Sequence, residues 1–127
     1  MLKACMIGCS LTLVTLASAY ADGDAANGEK IFKRCAACHV LDDKTNRVGP
    51  HLGAVIGRTA GTVEGFKYSD AMIEKGKEGL VWNADTLNSY LEDPKAFVPK
   101  NKMAFPGLKK PDERADVIAY LETASPK

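Results

Sequence analysis

The sequence predicts an all-α domain of short helices joined by long loops. Three observations predict it. Apolar residues recur at helical spacing in several short segments, capping residues and prolines punctuate those segments, and no stretch alternates with period two long enough to demand a sheet. A length of 127 residues is one domain's worth, and 46% hydrophobic with 26% charged residues is the balance of a globule, not of a disordered chain. Seventeen basic against sixteen acidic side chains give +1, so no overall field directs the protein to nucleic acid or a bilayer.

The first 21 residues read as an address. Met1-Leu2-Lys3 supplies a charged start and Ala4 to Leu16 an apolar run. Ala17-Ser18-Ala19 or Ala19-Tyr20-Ala21 then gives a small-residue exit, completing the pattern of a secretory signal peptide. Cleavage after Ala21 is preferred, because Asp22-Gly23-Asp24 opens a polar stretch. The run falls short of the roughly 20 apolar residues that cross a bilayer. A lipoprotein cysteine at Cys9 would leave an apolar region of only a few residues. The expected location is therefore the periplasm, with residues 22–127 as the working domain. Cys5 and Cys9 leave with the leader, so Cys35 and Cys38 remain and a two-disulfide framework is excluded. A domain of this size buries about 60–70% of its unfolded surface, which leaves room for another component in the core.

Within the domain, Ile31, Phe32, Cys35 and Ala36 predict a helix over 28–38. Ser69 and Asp70 begin a second over 69–78. Asn83-Ala84-Asp85-Thr86 opens a third, with Leu87, Tyr90 and Leu91 on one stripe and Pro94 stopping it. Pro111-Asp112-Glu113 starts the last, whose stripe is Val117, Ile118 and Leu121. Between the first two, glycines fall at 49, 53, 57, 61 and 65. That spacing would suit a helix-packing seam, but Arg58, Thr59, Thr62 and Glu64 interrupt it. It reads instead as a long loop, and such a loop in a small domain wraps something or forms a site.

The chemistry is concentrated in Cys35-Ala36-Ala37-Cys38-His39, the C-x-x-C-H pattern of c-type haem attachment. Two thiols three residues apart on one turn can each bond a porphyrin side chain, and the next residue brings an imidazole to the iron. Three other readings compete. A thioredoxin-like C-x-x-C wants a βαβ setting that this chain does not supply. A structural zinc site wants a second ligand pair, and only His51 remains. A plain disulfide explains neither His39 nor the wrapping loop.

From Gly28 to Ala124 the chain resembles class I cytochrome c, of the bacterial cytochrome c2 and mitochondrial type. The matching stretches are 28–39, 48–53, 57–58, 66–71, 82–87, 90–94, 102–105 and 118–121, in the family's order. The resemblance implies the cytochrome c fold around one haem c attached through Cys35 and Cys38, with His39 as an iron ligand. His51, Met72 and Met103 are candidates for the sixth ligand. Met72 falls in a helical pattern where methionine is most often core, whereas Met103 lies in a proline-bracketed loop, 98–106, able to cross the far side of the ring. The resemblance also selects Met103. It further implies that the Pro50 carbonyl accepts the His39 ring N–H, and that Arg58, Tyr68 and Trp82 donate to haem propionates. Tyr90 would sit beside the methionine sulfur and Phe105 at the exposed haem edge. Gly28 and Phe32 would meet Val117 and Tyr120 where the terminal helices cross. Met72, Asn101 and His51 depart from the family's usual residues around the haem pocket.

With both axial positions filled, the implied role is electron transfer and not catalysis. The expectation is a soluble, monomeric single-haem carrier, moving one electron between partners such as a quinol:cytochrome c oxidoreductase and a terminal oxidase or reductase. The alternative is a haem enzyme or gas sensor with a labile distal ligand. Lys95, Lys100, Lys102, Lys109 and Lys110 gather beside Met103 with no acid among them. They form an expected docking ring for acidic patches on redox partners, with membrane complexes met only transiently.

Overall fold

The computed structural model describes residues 23–41 and 44–124. The predicted leader 1–21, with Cys5 and Cys9, lies outside the described residues, as does the acidic pair Asp42/Asp43. Five helices account for the regular structure among the described residues, joined by long loops and a single β-bridge between Thr59 and Val81. The all-α expectation holds.

The first helix, α1 (Ala25–Phe32), begins three residues before the predicted start because the Asp24 carboxylate caps it, accepting the N–H groups of Ala26 and Asn27 at 2.9 and 3.3 Å. Regular helix ends at Phe32, not at Cys38. The chain continues in tight turns, with Cys35 N–H donating to the Phe32 carbonyl at 2.7 Å and His39 N–H to the Cys35 carbonyl at 2.9 Å. Apolar spacing alone does not separate such turns from helix.

Helix α2 (Asp70–Lys77) is capped by Ser69, whose hydroxyl accepts the Met72 N–H at 3.1 Å. Helix α3 (Ala84–Glu92) carries a reciprocal cap in which Asn83 and Thr86 each hold the other's backbone N–H at 2.9 Å. Pro94 does end that helix, but it also opens an unexpected one-turn helix, α4 (Pro94–Phe97), capped by Asp93. Proline suits a first helical position, where its missing N–H has no helical partner to lose. Helix α5 (Pro111–Thr123) starts at its proline as predicted.

The terminal helices α1 and α5 cross, and Gly28 makes the crossing close. A methyl group there would overlap the backbone carbonyl of Asp116 and press on Tyr120. Around it the rings of Phe32 and Tyr120 lie 5.5 Å apart, while the Asp116 carboxylate takes the Asp24 N–H at 2.8 Å and the Asn27 amide at 2.6 Å. Arg114, 5% exposed, reaches from α5 to Asn88 of α3 and to the Leu108 carbonyl, both at 2.8 Å. Phe32, Leu87, Val98, Leu108, Val117, Ile118 and Leu121 form the core between these helices.

The glycine-spaced segment is a loop, not a seam. Its turns place Gly57, Gly61 and Gly65 at positive φ. The loop is pinned to the start of α3: Gly57 N–H donates to the Trp82 carbonyl at 2.7 Å and Trp82 N–H to the Arg58 carbonyl at 2.9 Å. That pairing brings Arg58 and Trp82 to one wall of the interior.

Candidate functional site

A cavity of about 420 Å³ lies within the fold, in the size range of cofactor and ligand sites, roughly 300–1,000 Å³. All ten residues expected at the site line it: Cys35, Cys38, His39, Pro50, Arg58, Tyr68, Trp82, Tyr90, Met103 and Phe105. The turn after α1 contributes the thiols and the imidazole. The glycine-rich loop contributes Pro50, Arg58 and Tyr68, α3 contributes Tyr90, and the loop after α4 contributes Met103 and Phe105.

Cys35 and Cys38 are free thiols, linked through their backbone by a Cys38 N–H to Cys35 carbonyl bond of 3.0 Å. Burial pushes the Cys35 thiol above its ordinary value, against the opposing pull of Arg34. His39 Nδ1 lies 2.7 Å from the Pro50 carbonyl oxygen. A carbonyl only accepts, so Nδ1 carries the hydrogen and Nε2 keeps its lone pair. Burial also lowers the His39 pKa, outweighing the Pro50 bond, and so favours the neutral ring that a metal requires. Gly49 backs the imidazole: a Cβ at that position would collide with its ring atoms.

At the Arg58 end, the guanidinium donates to the carbonyls of His51, at 2.8 Å, and Gly53, and one of its nitrogens lies 3.4 Å from His51 Nδ1. Burial lowers the Arg58 pKa, and no protein carboxylate pairs with it among the described residues. Tyr68 stands nearby, its oxygen accepting the Val63 N–H at 3.1 Å, and burial pushes its phenol up. His51, weighed above as a sixth ligand, is not on the cavity wall; it stands behind Arg58 as an acceptor.

Trp82 and Tyr90 are both buried, with ring centroids 4.9 Å apart. The Tyr90 hydroxyl points at the Met103 sulfur, 3.8 Å away. Burial pushes this phenol up to about 12, so near neutral pH it is a protonated donor. Met72 lines the cavity too, as do Leu52, Val55 and Leu87, which give it apolar walls. The sequence weighed Met72 as a sixth ligand and otherwise read it as helical core; it marked Leu87 only as one residue of a helical stripe, since an apolar stripe facing a cavity reads the same as one facing core.

These residues fit a c-type haem. Two thiols on one turn can bond it, a neutral imidazole has a lone pair for its iron, and apolar walls suit its macrocycle. A guanidinium with no carboxylate partner among the described residues suits its acidic edge. A bare metal ion fits less well: among the described residues, no three His, Cys, Asp or Glu side chains gather to hold one. The five lysines Lys95, Lys100, Lys102, Lys109 and Lys110 are all exposed, and the Lys109 ammonium donates to the Glu92 carbonyl at 2.8 Å. No helix among the described residues is long and apolar enough to cross a membrane.

Comparison with known proteins yields consistent matches. The family profile described as Cytochrome c matches residues 25–125. Cytochrome c2 of Rhodomicrobium vannielii is 50% identical over 123 residues, covering 96% of this chain and 94% of the relative. Cytochrome c 2.1 of Caenorhabditis elegans is 52% identical over 106 residues, covering 83% and 93%. Among solved structures, cytochrome c2 from Rhodospirillum centenum superposes with a TM-score of 0.76 at 43% identity, covering 82% of this chain and all of that one.

Proposed function

Because the chain belongs to the cytochrome c family and carries that family's one covalent haem on its cysteine pair, we propose that it is a soluble, monomeric electron shuttle of the periplasm. In this reading residues 1–21 are removed on export and residues 22–127 form the mature carrier. Cys35 and Cys38 would hold the haem, and His39 and Met103 would ligate its iron.

One observation carries the reading: the Nε2 lone pair of His39 and the Met103 sulfur, each oriented by a hydrogen bond, belong to the same apolar cavity. The bound haem supplies a one-electron couple at its iron. The protein's own residues do the rest. Pro50 fixes the imidazole tautomer and raises its basicity through the ring N–H. Tyr90 fixes the thioether, a soft donor that favours the reduced metal. Arg58, Tyr68 and Trp82 would receive the propionates, whose charge would otherwise be costly to bury. The apolar walls exclude water. Met103 would fill the coordination position that an enzyme or gas sensor leaves open, which is why the carrier is preferred over those alternatives. Phe105 marks the edge through which electrons pass.

The proposed partners are redox proteins with acidic patches, such as a quinol:cytochrome c oxidoreductase and a terminal oxidase or reductase. They would dock at Lys95, Lys100, Lys102, Lys109 and Lys110. Intact mass with the visible spectrum of exported protein tests the reading. The expected result is a chain beginning at Asp22, heavier by one haem, with a low-spin spectrum and the weak methionine–iron band, the band being lost in Met103→Ala. A high-spin spectrum, or a Met103→Ala protein indistinguishable from wild type, overturns it.

A further inference from the structure

Asn101 stands two residues before Met103, and its side-chain amide is used wholly on the backbone around that methionine. Its nitrogen donates to the Pro94 carbonyl at 2.8 Å and to the Val98 carbonyl at 2.9 Å. Its oxygen accepts the Met103 N–H at 2.8 Å. Pro94 and Val98 bracket α4 and are both less than 2% exposed, so the far ends of two of these bonds are embedded in the core. The Asn101 N–H also donates to the Val98 carbonyl at 3.2 Å.

One side chain thus ties a buried helical turn to the backbone N–H of the sulfur-bearing residue. An amide is suited to this because it offers two N–H donors and an acceptor oxygen from one planar group. A hydroxyl has a single donor and could not make the same three bonds. From the other side, Tyr90 addresses the sulfur itself. The loop would otherwise be loosely held: Met103 and Asn101 are only partly buried, and Lys102 and Ala104 are exposed.

We propose that Asn101 is the positioning residue for Met103, holding the loop so that the sulfur stays in the cavity and thereby setting how readily Met103 yields to an external ligand. The proposal rests on the reading of Met103 as an axial ligand and adds a second anchor that acts through the backbone.

Free imidazole is the probe, because it binds the ferric protein only where Met103 gives way. Asn101→Ala removes all three side-chain bonds, and loss of even one or two unmatched hydrogen bonds predicts imidazole affinity raised about tenfold or more. Asn101→Ser keeps an acceptor for the Met103 N–H but at most one of the two donated bonds, and its affinity should fall between wild type and Asn101→Ala. Covalent haem, measured by mass, should be unchanged in both. Global unfolding, followed by far-UV circular dichroism, is measured alongside. A merely structural role for Asn101 would lower the unfolding midpoint and leave imidazole affinity at the wild-type level, which overturns the proposal. If Asn101→Ala does not fold, Asn101→Ser decides by the same criterion. Met103→Ala separates the two readings. Wild-type spectrum and affinity in that variant sink the ligand assignment together with the proposal. A changed Met103→Ala beside Asn101 variants of wild-type affinity sinks the proposal alone.

Discussion

The backbone of Gly49 packs so closely against the imidazole of His39 that no methyl group fits between them. On the same ring, Nδ1–H is held by Pro50, the next residue along the chain. Two consecutive residues therefore confine the imidazole and set its tautomer. Gly49→Ala should tilt the ring off its carbonyl partner and, on the proposed ligation, weaken the hold of His39 on the iron. The visible spectrum should gain a high-spin fraction, and stability should fall by about 1–3 kcal/mol, the usual cost of overfilling a packed site. A fully low-spin Gly49→Ala protein of wild-type stability would contradict this account of the ring.

The helix crossing makes a separate prediction. At Gly28 an added methyl meets a backbone carbonyl of α5, which cannot swing aside as a side-chain tip would. Gly28→Ala should therefore cost about 1–3 kcal/mol in denaturant unfolding despite alanine's better helix propensity. The spectrum of the surviving folded fraction should be unaltered, because Gly28 touches the cavity nowhere.

Tyr68 makes stability depend on alkaline pH. Burial holds its phenol above the ordinary value of 10.0 in the folded chain. As pH rises through that ordinary value the unfolded chain loses its proton first, so the unfolded state binds fewer protons and stability falls. The fall ends once the folded group ionises as well. Tyr68→Phe should remove this component and flatten the alkaline limb in denaturant titrations at a series of pH values. At neutral pH the same variant should be less stable by about 1 kcal/mol, because the Val63 N–H loses its acceptor.

Lys100 adopts φ 66, a left-handed conformation that costs an L-residue about 1–2 kcal/mol and glycine little. Lys100→Gly should raise the thermal midpoint, by less than that full amount because glycine also loosens the unfolded chain. If the lysine is retained for docking, its stability cost has a use.

That use has its own test. Reversing charge at Lys100 and Lys102 should slow second-order electron transfer with an acidic partner at low ionic strength. The difference should shrink as salt shortens the screening length to about 10 Å at 0.1 M. Rates equal to wild type at low salt would remove these two lysines from the docking surface.

How much of this was legible depended on whether the signal was local. The Ser69 and Asn83 caps and the proline start of α5 stand at their predicted places, because a cap is decided by a few adjacent residues. The early start of α1 and the existence of α4 were missed. In the sequence Asp24 reads as part of a polar lead-in, and Pro94 as a stop only. The ten site residues share one cavity, yet outside the C-x-x-C-H turn it was resemblance, not periodicity, that singled them out. Arg58 read alone is a solvated loop charge, and Tyr90 read alone is core filling. The clamp from Arg114 to Asn88 and Leu108, and the three bonds of Asn101, join backbone groups whose meeting no spacing encodes.

The crossing of the first and last helices also governs the order in which the molecule can assemble. Docking them closes nearly the whole sequence into one ring, a contact of long separation whose entropy must be lost before its packing is gained. A chain emerging amino end first cannot finish this interior until Leu121 is free, so the packing around α1 must wait for α5.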